Sequence, residues 1–147
     1  ESTLIVNDRC DVAGLAGDGV HVGLSDVPLR EARMLLGSDA IVGGTAHSLE
    51  EAVRAEADGA DYLGVGTVFA SPTKPDIIPA GLEAVRGARG RVSVPIVAIG
   101  GITPANAASV VAAGADGIAV VSAVLGGDIR KNCFTFLEII GKKGECG

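Results

Sequence analysis

The sequence predicts an α/β fold of parallel strands separated by helices. Short runs rich in Val and Ile recur along the chain, each followed by a polar turn and usually by a helical pattern. The 22 glycines among 147 residues punctuate these runs and do not form a linker. A weak internal echo adds to this: Ala16-Gly17-Asp18-Gly19, Asp58-Gly59-Ala60-Asp61 and Ala113-Gly114-Ala115-Asp116-Gly117 each stand directly before a strand pattern, as a helix end turning into the next strand would. Their unequal spacing disfavours a solenoid. With 48% hydrophobic residues and a mean hydropathy of +0.43, the chain can bury one sizeable core.

The elements follow in order. Strands are expected at Thr3–Val6, Gly19–Gly23, Ala40–Gly43, Asp61–Phe69, Val94–Ile99 and Gly117–Val121. Ser48 and Glu51 make a capping box ahead of Leu49, Ala52, Val53 and Ala57, and Gly59 is the stop. Thr103-Pro104 is a second start, with Thr103 as cap, Pro104 in the first turn and Gly114 closing the helix after Val110 and Val111. Residues 1–128 read as the β/α region. Residues 129–147 read as a final helix or tail with a packing role, in which Phe134, Leu137, Glu138 and Ile139 could form the helix, and it carries Lys142-Lys143. Such alternation suits either a doubly wound sheet or a β/α barrel, and in both the functional groups gather at the carboxyl ends of the strands.

Composition narrows the function. Three Phe, one Tyr and no Trp argue against binding by aromatic stacking. A net charge of −6 without a basic run argues against nucleic acid. Cys10, Cys133 and Cys146 show neither metal-ligand spacing nor an even disulfide set, which suits a reducing cytoplasm. The apolar stretch Ile118–Leu125 is far shorter than the roughly 18 residues that span a membrane. The opening Glu1-Ser2-Thr3 has neither a basic signal-type start nor an initiator Met, so further residues are expected upstream.

Four groups at strand ends could carry chemistry. Asn7, Asp8 and Arg9 follow one strand and Asp26 follows the next. Two carboxylates on adjacent strands suit Mg²⁺, which usually takes one or two carboxylates and fills its shell with water and phosphate oxygens. Either Asp could equally cap a helix, and spacing leaves both roles open. Ser71, Thr73 and Lys74, between prolines, offer two hydroxyls and a point charge to an anion, or form an ordinary solvated loop. Gly100-Gly101 and Val121-Ser122 end two successive strands; backbone N–H groups there could hold a phosphate, and a tight turn with a small packing residue is the plainer alternative. His47 follows Gly43-Gly44-Thr45-Ala46 and could act as a base, whereas His21 lies inside a strand pattern; for both a structural hydrogen bond is the plainer role.

Taken together, Ile5–Arg9 with Asp11, Asp18–Leu24 with Asp26, Ile41–Glu51, Asp61–Asp76, Pro95–Pro104 and Ala113–Ala123 resemble the thiamine-phosphate synthase (thiamine-phosphate pyrophosphorylase) family. The resemblance implies a (β/α)8 TIM barrel that joins hydroxymethylpyrimidine diphosphate to thiazole phosphate and releases pyrophosphate. It implies Mg²⁺ on Asp8 and Asp26, Asn7 on the pyrimidine diphosphate, and Thr45, where the family usually has Ser, near the pyrimidine. Ser71, Thr73 and Lys74 would line the reacting region with Lys74 on the pyrophosphate, and Gly101, Val121 and Ser122 would bind the thiazole phosphate. Only six β/α units are evident where the barrel needs eight, so the first two, with a basic segment facing the diphosphate, are expected from upstream residues or a second chain. Two rival readings are a thiazole tautomerase using His47 and a non-catalytic phosphate-binding partial barrel.

Overall fold

The computed structural model describes residues 2–70 and 78–141. Along the chain, β1 (Ile5–Asn7), α1 (Cys10–Ala16), β2 (Gly19–Val22), α2 (Leu29–Leu36), β3 (Ile41–Ala46), α3 (Leu49–Ala57), β4 (Tyr62–Gly66), α4 (Gly81–Arg89), β5 (Ile96–Ile99), α5 (Ala107–Ala112) and β6 (Gly117–Ala119) alternate. Two helices close the chain, α6 (Ser122–Leu125) and α7 (Ile129–Gly141). The six strands lie in one sheet in the order β1-β2-β3-β4-β5-β6, and every neighbouring pair is parallel.

That order decides between the two expected architectures. A parallel crossover is right-handed in nearly all proteins, so strands always added on the same side carry their helices on the same face. A doubly wound sheet requires the order to reverse, and among the described residues it never does. The result is a six-stranded half-barrel with helices outside. Toward the helices, Val20, Val22, Val42, Leu63, Val65, Ile96 and Ala98 are buried. Small helical residues, among them Ala32, Ala52, Ala55, Ala88 and Ala107, let the helices lie close to the sheet. Phe136 of α7 is buried in the same core as β4 and β5, so the final helix packs on the sheet's helical layer.

Most strand ends fall within two residues of expectation, and three boundaries differ in ways that bear on the site. β3 continues to Ala46 because Gly44, Thr45 and Ala46 pair in register with Leu63, Gly64 and Val65. β4 stops at Gly66, after which Val68 and Phe69 donate to the carbonyls of Ile99 and Gly100. Thr103 does not cap α5. Asn106 stands at its N-cap position, and its side chain instead accepts from Thr103 N–H at 2.8 Å, closing a turn before the helix. Half of the capping box at α3 forms: Ser48 accepts from Glu51 N–H, while Glu51 reaches one residue past the cap and accepts from the N–H of His47.

The repeated aspartates have a common structural role. Asp18, Asp61 and Asp116 each stand just before a strand and accept, at 2.7, 2.7 and 2.9 Å, an N–H at or next to the start of the neighbouring strand, that of Leu4, Val42 and Ile96 respectively. Each also donates its own N–H to the carbonyl of the same residue at 2.8 Å. Arg33 from α2 pairs with Asp61, and Arg89 from α4 with Asp116; both guanidiniums also donate to carbonyls in the following loop. These clamps fix strand register at the amino-terminal edge. Replacing Asp61 or Asp116 by Ala leaves a partly buried strand N–H without its acceptor, and each should cost about 1–3 kcal/mol in urea denaturation, with near-additive losses in the double variant. Asp39→Ala on the surface should change stability little.

Candidate functional site

In a sheet whose strands all run the same way, every carboxyl end lies on one edge. Asp8 follows β1, Asp26 lies in the loop after β2, Thr45 is next to last in β3, Gly101 follows β5, and Val121 and Ser122 follow β6. Asn7 ends β1. The structure thus brings these seven to a common rim, while Ser71, Thr73 and Lys74 lie outside the described residues.

Local geometry explains how the rim is held. Asp8 has φ +62°, a left-handed conformation that Asp tolerates better than most residues, and it donates its N–H to the His21 carbonyl at 2.9 Å. Asp26 uses one carboxylate oxygen to accept from Gly23 N–H at 2.7 Å, closing the loop after β2. Arg9 turns toward Asp11 through two hydrogen bonds of 2.7 and 2.5 Å, and this pairing holds the Asp11 carboxyl down at about 2. Gly101 has φ +60°, and a Cβ there would lie 2.5 Å from the carbonyl oxygen of Ala70, so only glycine fits this junction of the β4 and β5 loops. Val121 and Ser122 are exposed at the start of α6.

The concave face beneath the rim carries a connected polar group. Side chains at register with one another share a face, and Asn7, His21, Gly43, Thr45, Tyr62 and Gly64 fall on the one opposite the helices. His21 bonds Thr45 Oγ1 through Nε2 at 2.9 Å and the Tyr62 hydroxyl through Nδ1 at 3.1 Å. Glycine makes this possible, since a Cβ at Gly64 would meet the His21 ring at 2.8 Å and one at Gly43 the Tyr62 ring at 2.2 Å. Burial pushes the His21 imidazole below its ordinary value, against the opposing pull of the Asp8 and Asp26 carboxylates. Burial likewise raises the Tyr62 phenol and is the main cause of the raised Cys10 thiol.

His21 therefore has the structural hydrogen bond expected of it, and it is also central to the site. Tyr62 escaped sequence reasoning. The signal available was an isolated Tyr opening a strand whose neighbour begins its glycine pair at Gly43. His47 is half-exposed, with Nδ1 3.4 Å from Glu51 Oε2, as part of the α3 start.

Among the described residues no group of three or more His, Cys, Asp or Glu could hold a metal ion. The donor set is two carboxylates on adjacent strand ends, both acting on the same imidazole, with one oxygen of Asp26 engaged by backbone. Such a pair fits Mg²⁺ shared with a phosphorylated ligand and does not fit a self-sufficient metal site.

The singly wound parallel sheet and its carboxyl-end rim define the class: an α/β half-barrel protein with a candidate site along the carboxyl ends of its strands. A family model described as thiamine monophosphate synthase matches residues 1–124, and the chain belongs to that family. It is 60% identical over 127 residues to a thiamine-phosphate synthase of Chloroflexus aurantiacus, covering 85% of this chain and 58% of that protein. To one of Moorella thermoacetica it is 54% identical over 127 residues, covering 85% and 60%. The chain thus spans about three-fifths of these curated relatives' length. Among solved structures, a thiamine phosphate pyrophosphorylase from Pyrococcus furiosus superposes with a TM-score of 0.84 at 45% identity, covering 95% of this chain and 67% of that one.

The His21 environment predicts a pH response. The unfolded imidazole takes its proton near pH 6.5, while the folded one takes it lower, so the unfolded state binds more protons across that window. Stability should hold above about pH 6.5 and fall as pH drops below it. Urea denaturation at pH 7.5 and 5.5 should show a smaller pH difference for His21→Gln than for the native chain.

Proposed function

We propose that this chain forms the larger part of a thiamine-phosphate synthase, joining hydroxymethylpyrimidine diphosphate to thiazole phosphate with release of pyrophosphate. The observation that carries the reading is the common rim: residues that resemble the family's site, spread from position 7 to 122, converge on one edge of a single sheet. A closed (β/α)8 barrel would follow from two further β/α units, from upstream residues or a second chain, covering the β1 and β6 edges. Ile99, on the face opposite the helices, is 44% exposed in the half-barrel.

In this proposal Asn7 contacts the pyrimidine diphosphate, Thr45 the pyrimidine, and Gly101, Val121 and Ser122 the thiazole phosphate. Lys74 opposes the pyrophosphate charge, with Ser71 and Thr73 beside the reacting carbon. Asp8 and Asp26 would hold Mg²⁺, which would neutralise charge on the departing pyrophosphate. Loss of pyrophosphate from the pyrimidine methylene before the thiazole nitrogen attacks needs no protein nucleophile. It needs leaving-group charge neutralised and the two rings held together. Phosphate anchoring supplies the second requirement. Free Cys10 and Cys133 suit a cytoplasmic setting, and no helix among the described residues is long and apolar enough to cross a membrane.

Two measurements test the reading. By calorimetry, Mg²⁺ alone should bind weakly and Mg²⁺ with pyrophosphate more tightly; Asp26→Asn should abolish the gain, and an unchanged gain would remove Asp26 from the site. With the two further β/α units joined upstream, the protein should form thiamine phosphate in an Mg²⁺-dependent way, and Lys74→Ala should lower turnover by about 10²-fold or more. The 147-residue chain alone should be far slower, and an inactive extended protein would refute the function.

A further inference from the structure

The chain Tyr62–His21–Thr45 has a direction, and the direction matters to whatever Thr45 meets. A neutral imidazole has one donor and one acceptor nitrogen, and both nitrogens of His21 are engaged. Either Tyr62 donates to Nδ1 and Nε2–H donates to Thr45, or both bonds run the other way. The relative acidity of the two hydroxyls chooses between these, and the depth of Tyr62 sets what each direction leaves at the rim. A phenol is a far stronger acid than an aliphatic hydroxyl, so its O–H is the better donor to an imidazole nitrogen. Tyr62 also lies deeper: it pairs with Gly43, two residues before Thr45 on β3, which puts Thr45 about 6–7 Å nearer the carboxyl rim. In the first direction Thr45 accepts from His21 and keeps its own proton for the rim; in the second it spends that proton on His21, and the proton left over belongs to the phenol in the deeper part of the face.

We propose that His21 and Tyr62 are positioning residues that make Thr45 a committed hydrogen-bond donor, directed at a ring nitrogen of the bound pyrimidine. The ligand half of this rests on the function proposed above; the hydrogen-bond direction does not. It also assigns a role to the close packing at Gly43 and Gly64, which seats the two rings on a face where any larger residue would displace them.

The direction is read on the 147-residue chain by long-range ¹⁵N correlation of the histidine ring. His21 should show a protonated Nε2 and an unprotonated Nδ1, and Tyr62→Phe should raise the Nδ1–H form. A native His21 protonated at Nδ1 would overturn the inference whatever the ligand. Calorimetry then compares hydroxymethylpyrimidine diphosphate with inorganic pyrophosphate. Tyr62→Phe and Thr45→Val should each weaken the first by about 5- to 10-fold and leave the second unchanged. The double variant should lose no more than Thr45→Val alone, and Thr45→Ser should bind like the native chain. Independent losses that multiply in the double variant, or native affinity in Tyr62→Phe, would show that the phenol does not act through Thr45. If the protein extended by the two further β/α units, with Mg²⁺, bound the pyrimidine diphosphate no better than pyrophosphate, the proposed function would fail, while the ¹⁵N result would still decide the direction.

Discussion

Each strand of this protein is laid beside its predecessor on the same side and in the same direction, and the rest of the molecule follows from that constraint. Because a right-handed crossover delivers its helix to one face, the helices share the outer layer and the opposite face is left to a few inward side chains. Because all strands are parallel, their ends sort into two edges with different tasks. A reversal in strand order would have kept the carboxyl ends on one edge but put helices on both faces, leaving no open inner face for those side chains.

The inner face is built around absence of bulk. Gly43 and Gly64 stand beside Tyr62 and His21, so two rings can tilt against each other, centroids 5.5 Å apart, where a β-branched pair would otherwise sit. The outer face does the opposite. There Val20, Val42, Leu63 and Ile96 are fully buried and supply the apolar area that drives the chain together. Stability and the polar network therefore occupy opposite faces of the same strands, one residue apart along the chain, and a one-residue slip in register would exchange them.

This division explains what could be read from sequence. The six strands were legible because each carries a short run rich in Val and Ile, with glycine or polar turn residues near its limits. Strand ends were less legible. Gly44, Thr45 and Ala46 look like a turn, and become strand only because β4 offers a matching run beside them. Thr103 looks like a cap, but the longer Asn106 side chain reaches back to its N–H. Whether the sheet was singly or doubly wound was closed to local patterning, since both have the same β/α grammar and differ only in the order of pairing. The rim was legible as a set of polar residues after strands. The Tyr62–His21–Thr45 connection was not, because 41 residues separate its first pair and only the pairing of β2, β3 and β4 brings them together.

The two edges use the same residue type for different ends. At the amino-terminal edge Asp18, Asp61 and Asp116 are each committed to a strand N–H, and two of them also to an arginine. Their charge is answered by the fold itself, which suits a clamp. At the carboxyl edge the backbone holds Asp8 in a left-handed turn and engages one oxygen of Asp26, and what their charges bear on together is His21. Two carboxylates that both act on the half-buried His21 imidazole repel a bare diphosphate. An accompanying cation would relieve that repulsion, which is the electrostatic argument behind the Mg²⁺ proposed above. The same consideration separates the edges in sequence: an aspartate before a strand accepts an N–H near the start of the neighbouring strand, whereas one after a strand stands where the carboxyl ends of all the parallel strands gather.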